Sequence, residues 1–110
     1  MAVAISERRA HERATQEWAQ TAKASLRPGC PISIVNISRG GALVEGTQPL
    51  RPGSRVLLQI VTPSNEFGLS AVVLRCGVRA LSVDEGVIYR GALRFDERQD
   101  WTREMQTRVG

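Results

Sequence analysis

The chain has 110 residues, 15 basic and 11 acidic side chains, one His and a formal net charge of +4. That length suits one domain, and 42% hydrophobic with 24% charged residues is too apolar for a disordered chain. A single His and two isolated Cys exclude an all-protein zinc cage, and no apolar run approaches the ~20 residues that cross a bilayer.

The first six residues turn charged at Glu7, Arg8 and Arg9 with no long apolar run or small-residue cleavage site, so a secretory signal is not expected. Residues 7–24 are rich in Ala, Glu, Gln and Arg, with Trp18 the only large apolar side chain. Propensity favours helix there, but the apolar stripe is too thin for an amphipathic one, which leaves a basic arm followed by helix or weak edge strand. Arg27 to Pro31 is a turn. Ile32 to Ile37 is β-branched and reads as a strand, broken by Ser38-Arg39-Gly40-Gly41, residues suited to positive φ. Ala42 to Val44 is a short strand, and Pro49 to Gly53 a turn. Arg55 to Val61 alternates, Thr62 to Asn65 turns the chain, and Phe67 to Cys76 is a long strand. Asp84-Glu85-Gly86 is a hairpin signal. Beyond it Val87, Tyr89, Gly91, Leu93 and Phe95 share one face, with Arg90 and Arg94 on the other. Residues 97–107 suit a short helix, Trp101 and Met105 lying four apart. Short strands at regular spacing predict an all-β barrel or sandwich.

Fourteen of the 15 basic residues are Arg, the exception being Lys23. That excess reflects either genomic base composition or an anionic partner, since guanidinium binds phosphate bidentately and stacks on bases. His11, the lone imidazole, sits in a charged segment without a nucleophile beside it, and no catalytic constellation supports an enzyme.

Two segments resemble the signature of the PilZ domain family. Arg8, Arg9 and Arg13 form an Arg-x-x-x-Arg pair preceded by another Arg, and Asn36-Ile37-Ser38-Arg39-Gly40-Gly41 fits Asp/Asn-x-Ser-x-x-Gly. The segments Leu50 to Val56 and Gly91 to Asp96 are also family-like, so the resemblance spans residues 7–105. The first motif is weak alone: about 1.7 such pairs are expected by chance and the chain holds five. The second is sharp, with about 0.03 chance matches expected.

The resemblance implies a six-stranded antiparallel β-barrel over residues 15–96, a flexible Arg-rich arm over 1–14, and a C-terminal helix and tail over 97–110. It implies a non-enzymatic, cytoplasmic bacterial receptor for cyclic di-GMP, with no cofactor, that signals to a partner protein and inserts into no membrane. Arg8, Arg9, Arg13, Asn36, Ser38, Gly40 and Gly41 would bind the ligand. Arg39 and Gly91 are further candidates, and Arg8 points to two stacked ligands per protomer. Asn36 and Ser38 also read as a capped strand end. The other readings are a ligand-independent adaptor in motility or pilus control, and a basic barrel binding single-stranded nucleic acid. The first strand is the departure from the pattern, residues 14–26 being short of Val, Ile and Leu.

Overall fold

A computed structural model describes Gln16, Ala19 and residues 22–27, 29–63 and 65–99. Six strands form: β1 Lys23–Leu26, β2 Cys30–Ile37, β3 Gly41–Gly46, β4 Arg55–Val61, β5 Glu66–Ser82 and β6 Gly86–Phe95. They close into an antiparallel barrel in the order β1-β2-β3-β6-β5-β4. The expected all-β barrel is therefore the fold. The weak first strand proves to be only four residues long, preceded by helical residues at Gln16 and Ala19. It still closes the barrel, because Leu26 stands opposite Leu58 of β4 and both are buried. Of the helix expected over 97–107, residues 97–99 are described and are not helical; the remainder lies outside the described residues.

The interior follows the period of two. Ala42 and Val44 on β3, Leu58 and Ile60 on β4, Leu69, Ala71 and Val73 on β5, and Leu93 and Phe95 on β6 all point inward. Small faces large across the strands: Ala42 opposes Leu93, Ala71 opposes Phe95 and Gly91 opposes Val44. Such alternation fills a narrow barrel without voids.

The left-handed backbone positions are Gly29, Gly53 and Gly86, with φ of 129°, 85° and 80°. Gly86 closes the β5–β6 turn, as the Asp-Glu-Gly signal predicts. Gly40 and Gly41 do not adopt positive φ, contrary to the reading of the sequence. Gly41 instead lies against β6 so closely that a Cβ there would overlap the Leu93 carbonyl oxygen.

The alternation slips at two bulges that matter for the outer wall. On β2 the register shifts between Ile34 and Asn36, and on β5 between Val73 and Arg75. Simple parity would send Asn36 inward with buried Ile34, and Arg75 inward with buried Val73. The extra residues, Val35 and Leu74, turn both polar side chains outward, a bulge's usual effect of re-aiming a side chain. A further shift lies at Arg79, between Val78 and Ala80.

Candidate functional site

The second motif is the β2–β3 turn. The Ser38 amide donates to the Gly41 carbonyl at 2.8 Å, and the Gly41 amide donates to Ser38 Oγ at 3.2 Å. The Ser38 hydroxyl also donates to the Gly41 carbonyl at 3.3 Å. The Ser-x-x-Gly spacing is thus the spacing that lets the chain return onto itself and lets β3 start flush against β6. Thr62 with Asn65, and Ser82 with Glu85, close the β4–β5 and β5–β6 turns by the same hydroxyl-to-amide bond. The Ser38 hydroxyl therefore serves the turn first, as the strand-end reading has it. The turn is clamped to the end of β6: the Phe95 amide donates to the Gly40 carbonyl, and the Gln99 amide to the Arg39 carbonyl, each at 2.8 Å.

Beside this turn the outer wall is shallowly hollowed. An open depression of about 760 Å³ runs across β2, β3, β6 and β5, bounded by Asn36 and Ser38 at one side and Leu74 and Arg75 at the other. Its floor is low because small residues pave it: Gly41 pairs with Arg94, and Ala92 lies between Leu43 and Arg75. Among the described residues no Asp or Glu lines it, while Arg75 and Arg94 do. Neither arginine pairs with a carboxylate among the described residues. By contrast Arg90 holds Glu45 at 2.5 Å, and Arg55 holds Asp96 at 2.5 Å. The hollow is therefore a cationic, hydrogen-bonding face with uncommitted guanidinium groups, suited to an anion with flat, polar edges.

A third element reaches the same place. Gln16 grips the backbone of Ile37, between Asn36 and Ser38. Its Nε2 donates to the Ile37 carbonyl at 2.5 Å, and its Oε1 accepts from the Ile37 amide at 2.9 Å. In the sequence Gln16 is simply one polar residue of the 14–26 stretch that is short of Val, Ile and Leu. In the fold it replaces a strand partner for a stretch of β2 edge.

The sequence candidates divide accordingly. Asn36, Ser38, Gly40 and Gly41 come together at the hollow, and Arg39 is exposed on the same turn. The Asn36 side chain is exposed and makes no hydrogen bond among the described residues. Gly91 departs from the reading that made it a possible ligand contact. It is buried inside the barrel, and a Cβ there would stand 2.8 Å from Leu50 Cδ1, so its missing side chain makes room for Leu50. Arg8, Arg9, His11, Arg13, Trp18 and Trp101 lie outside the described residues. Arg75, Arg94 and Leu74 also line this wall, though none of them is among the ligand-binding candidates named from the sequence. A signal for them existed in the polar break after Leu69, Ala71 and Val73, where Arg75 falls on core parity.

No group of three or more metal-ligating side chains occurs among the described residues. No described helix is long and apolar enough to cross a membrane. Among known proteins, no curated relative and no solved structure matches the chain. A family model does match: that of the PilZ domain, a cyclic di-GMP-binding family of binding and adaptor domains, over residues 7–102. Matched by that model over residues 7–102 and folded as a closed six-stranded barrel, the chain belongs to the PilZ domain family.

Proposed function

We propose that this chain is a cyclic di-GMP receptor that seats the dinucleotide on the hollow beside the β2–β3 turn and covers it with the arginines of its N-terminal segment. The observation that carries this reading is the grip of Gln16 on Ile37. It tethers the N-terminal segment beside Asn36 and Ser38. Covalent geometry then keeps the Arg13 Cα within about 11 Å of Gln16 and the Arg9 Cα within about 25 Å. Both basic residues are thus held within reach of the wall that carries the second motif.

The chemistry divides by residue. Arg9 and Arg13 pair with the two phosphodiesters or guanine O6 and N7, and stack on the bases. Asn36 offers a carbonyl acceptor and an amide donor to a guanine edge. Arg75 and Arg94 add charge from the opposite side of the hollow. Arg8 adds a third basic group to the arm, in keeping with two stacked ligand molecules per protomer. The ligand orders the arm only by its differential affinity for the docked state, and the covered wall is then a new surface for a partner protein. A cytoplasmic receptor is in keeping with Cys30 and Cys76 both being free thiols. Among the described residues the nucleic-acid reading finds no exposed stacking platform, since Phe67, Tyr89 and Phe95 are all at least half-buried.

Calorimetric titration with cyclic di-GMP tests the reading. Wild type should bind with a stoichiometry near two ligands, and Arg9→Ala/Arg13→Ala should lose affinity by about a hundredfold. No heat with wild type, or equal affinity in the double variant, sinks it.

A further inference from the structure

Beyond Arg75 the outer wall carries a second open depression, of about 680 Å³, which shares Leu43 and Arg75 with the first. Gly77 lies at its centre, and the register fixes what surrounds it. Arg90 of β6 stands directly opposite Gly77, and Glu45 of β3 directly opposite Arg90. The Arg90–Glu45 ion pair places this row on the outer face. Arg75 precedes Gly77 by two residues and shares that face. Arg79 follows at the next bulge and reaches the same Glu45.

Neither the backbone nor packing asks for a glycine here. Gly77 is not one of the positive-φ positions, and a Cβ on it would meet nothing within 4 Å. A glycine inside a strand weakens it, and it often marks a place where another group approaches the backbone. Its missing side chain leaves an open gap with an arginine on three sides.

Charge indicates what the gap takes. Among the described residues, Glu45 is the one carboxylate that these three guanidinium groups meet. Arg90 uses most of it, holding Oε2 through Nη2 at 2.5 Å and Nε at 2.7 Å. Arg79 approaches the same oxygen only at 3.5 Å, too long for a good hydrogen bond. Arg75 has no carboxylate partner among the described residues. The gap thus keeps an excess of positive charge, with donors converging on it from several directions.

We propose that the Gly77 gap is a second, phosphate-binding subsite on the outer wall. Arg75 and Arg79 grip the phosphate, and Glu45 limits its strength by competing for Arg79 and Arg90. A phosphate group suits the gap because its oxygens radiate outward and accept from several guanidinium groups at once. The subsite goes beyond the seating of a dinucleotide beside the β2–β3 turn and stands without it. Its phosphate has two possible sources: the second dinucleotide of a stacked pair, or a separate phosphate-bearing molecule.

Titration of inorganic pyrophosphate into the isotope-labelled chain at constant ionic strength, followed by amide resonances, tests it. The Gly77 and Arg79 amides should move and saturate. Gly77→Glu fills the gap with a carboxylate and should abolish the effect, with the melting temperature held because the added side chain meets open space. Arg79→Ala should weaken pyrophosphate binding about tenfold, and Glu45→Gln should tighten it about fivefold. A calorimetric titration of Gly77→Glu with cyclic di-GMP identifies the source. One ligand bound in place of two assigns the phosphate to the second dinucleotide. Unchanged stoichiometry, with wild type binding both ligands together, assigns it to a separate molecule. Wild type that takes pyrophosphate but no cyclic di-GMP refutes the receptor reading and leaves the subsite standing. Three results each overturn the subsite: no saturable movement at Gly77 up to roughly 20 mM pyrophosphate, wild-type pyrophosphate affinity in Gly77→Glu, or wild-type affinity in Arg79→Ala.

Discussion

Gln16 offers the most direct test of how the N-terminal segment is tied to the wall. Replacing it with Met keeps the bulk and removes both bonds to Ile37, at 2.5 and 2.9 Å. A typical intramolecular hydrogen bond contributes about 0.5–1.5 kcal/mol net, so the pair is worth about 1–3 kcal/mol. The bonds are half-buried, and the Ile37 groups lose their partner without full access to water, which favours the upper half of that range. If the whole amount serves to dock the segment, affinity for cyclic di-GMP should fall by about 5- to 150-fold. Thermal melting should fall by roughly 5–15 °C where the bonds also stabilise the closed barrel. Calorimetry and a melting scan on the same sample separate the two effects. Gln16→Ala should match Gln16→Met, because the bonds matter and the bulk does not. Wild-type affinity together with a wild-type melting temperature in Gln16→Met would refute the tether.

Other residues give independent checks. Arg75→Ala and Arg94→Ala should each weaken cyclic di-GMP binding about tenfold without lowering the melting temperature, since both side chains are exposed; unchanged binding in both removes the far side of the hollow from the site. Gly41→Ala forces a methyl against the Leu93 carbonyl and should cost about 1–3 kcal/mol by denaturant titration, with a stability equal to wild type contradicting the close approach. Leu58→Ala empties a fully buried position at the barrel closure and should cost about 2–5 kcal/mol in the same assay. Gly86→Ala, at φ 80°, should cost about 1–2 kcal/mol through backbone strain alone.

How much of this was legible in the chain depends on the range of the forces involved. Alternation along Arg55 to Val61 and Val87 to Phe95 marks strands because a pleat exposes every second residue to the same environment. Turns at Gly53 and Gly86 are legible because few residues tolerate their backbone angles. The second motif is legible because its three residues meet within one turn. These are local matters, and the all-β class and the Asn36–Gly41 turn follow from them.

Other features rest on contacts between residues far apart in the chain. β5 reads as ending at Cys76, yet it runs to Ser82 because β6 extends to pair with it. Asn36 and Arg75 face the same hollow only because each strand carries a bulge, and because β6 lies between β3 and β5 rather than at the end of the sequence order. The Gly41 requirement comes from the backbone of β6, more than fifty residues downstream. Gln16 looks like a defect until the Ile37 edge is beside it. Sequence pattern reports which face of a strand is buried; which strand stands next to it, and where the register slips, is settled by packing the whole barrel at once.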